Sequence, residues 1–343
     1  MITDTALFIL SLFLILISAE IFTNGVEALG KRLSLSQAVV GSIFAAVGTA
    51  MPETILPFVA IFIYGGDAGA HIGVGAILGA PFMLSTLVFF LVGITVLIGY
   101  LNKKRGFELN AEVGSLKRDL VFFIGMYGAA ITIPLFVSGG NIVLAIGLVI
   151  GYLIYVYMTF MGESGGVVNV DELYFGRFVR VLKRHRRERD TDAPEAVVLI
   201  CFQVVFALAL MLGGAHIFVG ELEQLSLALG LNPLLFALLL APVATELPEK
   251  FNSISWTLKG KDTLAAGNIT GAMVFQSTFP VSLGLLFTDW AISGMALFSA
   301  ILAILAALIL LADITVRKKL SPITMMAAGI LYIVYAFALV FGQ

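Results

Sequence analysis

The sequence predicts an all-α polytopic membrane protein with ten transmembrane helices arranged as two inverted five-helix repeats. Three observations support this fold: an apolar composition, basic residues confined to alternate loops, and a duplicated sequence pattern. Of the 343 residues, 60% are hydrophobic and 12% are charged, against about 25% charged residues in an ordinary soluble domain. The composition excludes a disordered chain and argues against a water-soluble enzyme, and the net charge of −2 does not indicate a nucleic-acid partner.

Ten apolar stretches account for most of the chain, and each is close to the roughly 20 residues that cross a bilayer as a helix. The predicted spans cover residues 5–29, 36–64, 71–100, 118–137, 141–161, 195–219, 233–258, 263–287, 290–312 and 321–342. One long hydrophilic stretch separates the first five spans from the last five. The sequence therefore divides into a first membrane repeat at 1–162, a basic loop at 163–194 and a second membrane repeat at 195–343.

The basic residues test this map independently of hydropathy. Nineteen of the 20 Lys and Arg residues fall after spans 1, 3, 5, 7 and 9, on one side of the predicted membrane. Because basic loops stay in the cytoplasm, the 163–194 loop is predicted to be cytoplasmic and both termini to lie outside. We expect a multi-pass protein of a prokaryotic cell membrane.

The two halves of the sequence are related by an internal repeat. Residues 19–53 align without gaps on 215–249, with twelve of 35 positions identical. A second pair follows, in which Gly75-Ala76-Ile77-Leu78-Gly79-Ala80 matches Gly267-Asn268-Ile269-Thr270-Gly271-Ala272. Because five spans is an odd number, the two repeats must have opposite orientations in the membrane. Inverted repeats are typical of secondary transporters, which bind their substrate where interrupted helices meet near the bilayer midplane.

The repeated segments contain such interruptions. Pro52 cannot donate a hydrogen bond to the carbonyl of Gly48, and Pro248 cannot donate one to the carbonyl of Ala244. A carbonyl freed inside the bilayer needs another partner, and a cation would satisfy it.

Each repeat also carries a hydroxyl and a carboxylate on one helical face. Thr49 and Glu53 are four residues apart, as are Thr245 and Glu249. Such oxygen ligands suit hard cations such as Na⁺, Ca²⁺ or Mg²⁺. A charged group at the bilayer centre costs about 2.5–3.5 kcal/mol even on the lenient insertion scale, so packing is a poor explanation for two symmetry-related acids. The sequence thus predicts a cation site shared by the two repeats.

These motifs resemble those of a known family. Gly48-Thr49-Ala50-Met51-Pro52-Glu53 and Ala244-Thr245-Glu246-Leu247-Pro248-Glu249 are similar to the paired G-T-S-x-P-E motifs of the calcium/cation antiporter superfamily, whose best-known branch is the sodium/calcium exchangers. The Gly-rich segments of spans 3 and 8 look like its G-N-x-x-G-S-N/D motifs. The resemblance implies exchange of Ca²⁺ for Na⁺ or H⁺ by alternating access. It also implies that the motif glutamates bind the divalent ion, and that the motif threonines and nearby backbone carbonyls contribute: Glu53, Glu249, Thr49, Thr245, Gly48 and Ala244.

The chain departs from the family pattern at four positions. The serines of the two G-T-S-x-P-E motifs are replaced by Ala50 and Glu246, and the Asn or Asp of the Gly-rich motifs by Pro81 and Met273. Since Ca²⁺ prefers six to eight oxygen ligands, the missing oxygens leave open a selectivity for Mg²⁺, another divalent ion, or Na⁺ or K⁺ against H⁺.

Glu246 has two interpretations. It could be a third carboxylate ligand that compensates for a missing one. It could equally form an ion pair with Lys250 at i+4, the favourable orientation on a helix.

Further polar residues lie in or near the membrane spans. Any of them could replace a lost ligand, although hydrogen bonding between helices is the more ordinary role of such residues: Asn268, Thr270, Gln276, Ser277 and Ser85. Glu20 and its repeat counterpart His216 could carry protons or line a water-filled vestibule.

Taken together, the sequence predicts a secondary-active cation antiporter, most simply one that exchanges a divalent cation for Na⁺ or H⁺. A cation channel is the competing class. The sequence lacks the nucleophile motifs of an intramembrane protease, so no enzymatic activity is expected. The expected partners are inorganic cations and membrane lipid, with no resident cofactor. We expect a monomer, although the sequence leaves an oligomer open. The single cysteine, Cys201, excludes an intrachain disulfide.

Overall fold

The fold is known from a computed structural model, which describes residues 2–32, 51–137, 139–162, 173–175 and 197–341. The predicted ligands Gly48 and Thr49, the side chain of Glu249 and most of the 163–194 loop lie outside the described part. Over the described residues the chain is helical, and no β-strand occurs there; a single antiparallel bridge joins Leu109 to Leu320.

The first repeat contains six α-helices in its described part. They are α1 (Ile2–Arg32), α2 (Met51–Phe58), α3 (Gly66–Met83), α4 (Phe89–Leu101), α5 (Val113–Phe136) and α6 (Asn141–Gly162). A π-helical turn at Val59–Tyr64 continues α2, and another at Leu84–Val88 joins α3 to α4.

The described part of the second repeat, residues 197–341, contains seven α-helices. They are α7 (Val197–Ala228), α8 (Pro233–Thr245), α9 (Leu247–Leu258), α10 (Asp262–Gln276), α11 (Phe279–Phe287), α12 (Gly294–Arg317) and α13 (Pro322–Phe341).

Eight helical segments of the described chain are long and apolar enough to cross a membrane, and they match predicted spans 1, 3, 4, 5, 6, 8, 9 and 10. The other two predicted spans correspond to the shorter apolar helices Met51–Tyr64 and Pro233–Thr245. The chain is thus a multi-pass integral membrane protein, while the count of ten spans and the orientation of the termini stay predictions.

The interruption of span 7 lies two residues before the proline that we expected to cause it. Helix α8 ends at Thr245 and α9 begins at Leu247, so Glu246 occupies the break and Pro248 falls in the first turn of α9. Proline is tolerated at this position because the first N–H groups of a helix have no helical acceptor.

Helix packing pairs equivalent spans of the two halves. Helix α1 packs along α7, and α5 packs along α12, so spans 1 and 6 and spans 4 and 9 are neighbours. Helix α4 of span 3 packs on α13 of span 10. The equivalent contact with the two halves exchanged is that of α11 in span 8 with α6 in span 5. The two longest helices, α1 with 31 residues and α7 with 32, share one apolar cluster with α2, α3 and α8.

The tightest approach in the core brings α3 onto α8. A Cβ added to Gly75 would lie 2.2 Å from the carbonyl oxygen of Leu234, and one added to Gly79 would lie 2.1 Å from that of Leu238. Only glycine fits at such a distance. The Gly-rich motif of span 3 therefore brings its helix backbone into direct contact with span 7, next to the predicted cation site.

Candidate cation-binding site

A small cavity of about 10 Å³ lies where α2, α3 and α8 meet. This volume is close to the minimum that one water molecule needs, so the cavity would hold a single water or one dehydrated cation. The lining residues come from both halves of the chain: Glu53, Leu56, Pro57, Ala76, Ala80, Ala241, Pro242 and Thr245. The glutamate of the first motif thus shares a small cavity with the threonine of the second.

Glu53 brings a carboxylate into this apolar surrounding. It lies in the first turn of α2, directly after Pro52, and only 6% of its surface is exposed. Its cavity neighbours on α2, Leu56 and Pro57, are apolar. A buried carboxylate is stable only when hydrogen bonds, a proton or a positive charge compensate it, and a cation in the cavity would add to that compensation.

Thr245 contributes a hydroxyl at the end of α8. Its Oγ1 donates to the carbonyl of Ala241 at 3.0 Å, which leaves the lone pairs of the hydroxyl oxygen for another partner. Pro242, one turn earlier, has no N–H to offer the Leu238 carbonyl, and that carbonyl is the one packed against Gly79. The site is therefore built around a helix whose hydrogen-bond ladder is interrupted.

The structure contains the ion pair between Glu246 and Lys250. Both residues are buried, with 1% and 4% of their surface exposed, and Lys250 Nζ lies 3.9 Å from Glu246 Oε1. The second carboxylate oxygen, Glu246 Oε2, has no hydrogen-bond partner among the described residues. Pairing with Lys250 is thus observed, while a role of Glu246 as a ligand stays a prediction.

The other proposed replacement ligands do not line the cavity. Ser85 and Ser277 bond to carbonyls of their own helices, Phe82 at 3.2 Å and Val274 at 2.9 Å. Asn268 Nδ2 donates to Ser253 Oγ at 2.9 Å, which ties α10 to α9. The Asn268 bond matches the predicted hydrogen bonding between helices, whereas the two serine bonds lie within their own helices.

Gln276 is buried at the end of α10. The two positions that lack a family oxygen, Pro81 and Met273, are also buried, and Met273 belongs to the large apolar cluster of the core.

Glu20 and His216 both have exposed side chains. The hydroxyl of Tyr174, in the central loop, donates to Glu20 at 2.8 Å. The ring of His216 lies 5.8 Å from that of Tyr64. Neither residue reaches the cavity in this conformation, so their predicted proton-carrying role finds no support from the contacts at the site.

Sequence reasoning missed Asp119, a buried acid on α5. The hydroxyl of Thr270 lies 2.6 Å from its Oδ2, and Arg118 Nη2 lies 3.2 Å from its Oδ1. This contact explains Thr270, which we had considered as a substitute ligand. In the sequence, Asp119 follows Arg118 at the start of predicted span 4. Such a pair looks like two solvent-exposed charges at the membrane surface, so its burial was not predicted.

In the described residues no group of three or more His, Cys, Asp and Glu side chains is arranged to hold a metal ion. The predicted ligand set also includes Gly48, Thr49 and Glu249. Gly48 and Thr49 lie outside the described residues, as does the side chain of Glu249.

Comparison with known proteins agrees with this architecture. The family model described as "Sodium/calcium exchanger protein" matches residues 3–161 and 199–342. The putative antiporter CaxA of Alkalimonas amylolytica is 23% identical over 303 residues, covering 86% of this chain and 84% of CaxA. The inner membrane protein YrbG of Escherichia coli is 22% identical over 296 residues, covering 86% and 83%.

Solved exchanger structures have the same fold. The H⁺/Ca²⁺ exchanger CAX superposes with a TM-score of 0.70 at 18% identity, covering 98% of this chain and 82% of CAX. The sodium-calcium exchanger NCX_Mj superposes with a TM-score of 0.58 at 19% identity, covering 98% and 99%. At these identities the likeness concerns the fold.

Proposed function

This chain belongs to the sodium/calcium exchanger family, and we propose that it is a secondary-active antiporter that exchanges a divalent cation, Ca²⁺, for Na⁺ or H⁺ by alternating access. The observation that carries this proposal is the small cavity that Glu53 of the first motif and Thr245 of the second both line.

The size of the cavity supports transport of a dehydrated ion. With room for about one water, the site would have to replace most of the hydration shell of Ca²⁺ with protein oxygens. The proposed ligands are Glu53, Glu249, Thr49 and Thr245, together with the carbonyls of Gly48 and Ala244. A site of this size would hold one ion at a time, as a carrier requires.

Exchange follows from competition for the same charges. The carboxylates of Glu53 and Glu249 would attract either one divalent cation or monovalent cations that together carry the same charge. Only a loaded site is electrically compensated inside the membrane, so the empty site would be slow to reorient. Release of one ion then requires binding of the other.

Alternating access needs two parts that move relative to each other. Helices α1 and α7 pack chiefly against each other, while the described spans 3 to 5 and 8 to 10 share the other large apolar cluster. We propose that the α1–α7 pair shifts against this larger body and exposes the cavity to each side in turn. Prolines and a helix break beside the cavity, at Pro242 and Glu246, would let the lining helices adjust.

Ca²⁺ is proposed as the cargo because the relatives whose names state an ion, CAX and NCX_Mj, are exchangers of Ca²⁺. The test is uptake of labelled Ca²⁺ into proteoliposomes, with opposing Na⁺ and pH gradients imposed one at a time. We expect uptake that saturates, that depends on one of these gradients and that is abolished by Glu53→Gln. Glu112→Gln, at an exposed glutamate, is the matched control. Uptake that proceeds with no counter-ion gradient and does not saturate would indicate a channel instead.

A further inference from the structure

A short turn of the central loop, Leu173–Phe175, docks onto both α1 and α7. Leu173 is 1% exposed and shares a small apolar cluster with Ala28 of α1 and Ile200 of α7. This is the end of both helices that the sequence predicts to face the cytoplasm. Loops normally run over the surface of a protein, so the burial of this turn calls for an explanation.

Two buried amide side chains hold the backbone of the turn. Asn24 on α1 is 5% exposed, and Gln203 on α7 is fully buried. The N–H of Tyr174 donates to Asn24 Oδ1 at 2.9 Å, and the N–H of Phe175 donates to Gln203 Oε1 at 2.9 Å. One helix from each repeat therefore accepts one of two successive backbone N–H groups.

The same two amides also bind each other. Gln203 Nε2 donates to Asn24 Oδ1 and to the carbonyl of Ile21, both at 2.9 Å. With the N–H of Phe175 on its Oε1, Gln203 uses both of its amide N–H groups and its oxygen. A fully satisfied buried network fixes one arrangement of the helices that share it, whereas a partly satisfied network is costly. The turn therefore completes a network that links α1 to α7.

The side chains of the turn add contacts around this network. The hydroxyl of Tyr174 donates to Glu20 Oε1 on α1 at 2.8 Å. The ring of Phe175 lies 5.8 Å from that of Phe202 and 5.6 Å from that of Phe206, both on α7. These contacts fasten the turn to both members of the α1–α7 pair.

We propose that Leu173–Phe175 is a strap that clamps α1 to α7 and travels with them as one body through the transport cycle. This inference rests on the proposed antiport, in which the α1–α7 pair shifts against the larger body. It gives the strap a positioning role and makes Glu20 one of its anchors. The partners of the strap named above are not among the residues that line the cavity. Loosening the strap should therefore lower the maximal rate of exchange and leave the half-saturating Ca²⁺ concentration unchanged.

The first test undocks the strap. Gln203→Leu removes the amide that binds it, and Phe175→Pro removes the N–H that this amide accepts. We expect each change to lower the maximal rate of counter-ion-dependent Ca²⁺ uptake several-fold per folded protein in proteoliposomes. Phe175→Ala keeps the N–H and should slow uptake less than Phe175→Pro. Gln224→Leu, at an exposed glutamine of α7, is the matched control and should keep the parent rate. If Gln203→Leu fails to fold, Phe175→Pro carries this test.

The second test locks the strap in place. In a Cys201→Ser background, which removes the exposed native thiol, Phe175→Cys and Phe206→Cys are joined by a short bifunctional thiol reagent. We expect the crosslinked protein to keep the uptake rate that it had before crosslinking, because the strap and α7 move together. The two single-cysteine variants, treated with the same reagent, control for the modification itself.

A parent-like or higher rate in folded Gln203→Leu or Phe175→Pro overturns the inference. Loss of uptake on crosslinking also overturns it, because the strap would then have to leave α7 in each cycle. Failure of the two cysteines to crosslink contradicts the docking on which the inference depends. A parent protein with no counter-ion-dependent uptake at all contradicts the proposed function itself, so the two failures are distinguishable.

Discussion

Replacing Gly79 with alanine tests the crossing of α3 and α8 beside the cavity. The new Cβ would lie 2.1 Å from the carbonyl oxygen of Leu238 and 2.7 Å from Cγ of Pro242. A carbon and a carbonyl oxygen in contact need about 3.3 Å, so α3 and α8 would have to separate by about 1 Å. Because the carbonyl oxygen of Leu238 belongs to the backbone of α8, rotation of a side chain cannot relieve the clash.

The magnitude follows from two effects. Overpacking of a close-packed interior costs about 1–3 kcal/mol of folding free energy. Metal sites tolerate errors of about 0.2 Å in ligand distances, so a shift of about 1 Å would remove Thr245 from the coordination of an ion at Glu53. Losing about 1.4 kcal/mol of binding free energy lowers affinity tenfold, and we expect at least this loss for Ca²⁺.

The assay combines the Ca²⁺ dependence of initial uptake in proteoliposomes with thermal unfolding in detergent. Gly128→Ala on α5 is the control, since no described atom lies within 4 Å of its added Cβ. We expect Gly79→Ala to lower both Ca²⁺ affinity and unfolding temperature relative to this control. If Gly79→Ala matches the parent in both measurements, the direct contact between α3 and α8 is refuted, and with it the role of that contact in shaping the cavity.

Three further predictions address orientation, selectivity and stability. A tag at either terminus should be accessible from outside, and one inserted within residues 177–192 only from the cytoplasm; termini on opposite sides would contradict the inverted repeat. Met273→Asp restores a carboxylate that the family pattern has in span 8, and it should raise the affinity for Ca²⁺ relative to Mg²⁺ in a competition assay. An unchanged ratio of the two affinities in Met273→Asp would remove position 273 from the site. Glu246→Ser should lower the affinity for both ions. Asp119→Asn should lower the free energy of unfolding by about 1.5–3 kcal/mol, since hydrogen bonds to a charged group contribute about that much, and a parent-like unfolding transition would show that the Thr270 and Arg118 contacts are unimportant.

Local sequence patterns predicted the parts of the site that lie within one helix. The i,i+4 spacing of Glu246 and Lys250 predicted an ion pair, and the structure contains it. The apolar stretches predicted ten spans, and eight of them are helices of membrane-spanning length in the described part of the chain. Both predictions depend on helix geometry alone, which a sequence determines over a few turns.

The internal repeat predicted one cation site shared by the two halves, but the sequence could not predict which side chains of distant helices meet there. The i,i+4 spacing placed Glu53 and Thr245 each on one face of its own helix. Only the packing of the helices brings both residues to one cavity. The approach of Gly79 to Leu238 likewise depends on how two helices cross. Asp119 was missed because an acid beside an arginine at a span boundary looks solvated, and its burial results from Thr270 on a helix 151 residues away in the chain.

The break in span 7 shows a limit of a different kind. Proline indicates that a helix is interrupted nearby, but not on which side, since the same residue is accepted in the first turn of the next helix. Here the break falls at Glu246, before Pro248, and so leaves a carboxylate rather than a proline at the discontinuity.

The central claim is that one site binds competing cations in turn, and Ca²⁺ self-exchange tests it most directly. Proteoliposomes are loaded with unlabelled Ca²⁺, diluted into labelled Ca²⁺ at the same concentration without Na⁺ or pH gradients, and the entry of label is followed against liposomes containing no internal Ca²⁺. The account predicts saturable entry of label only when Ca²⁺ is present inside, and none with Glu53→Gln. Equal entry of label into Ca²⁺-free liposomes, or unchanged self-exchange in Glu53→Gln, would contradict it.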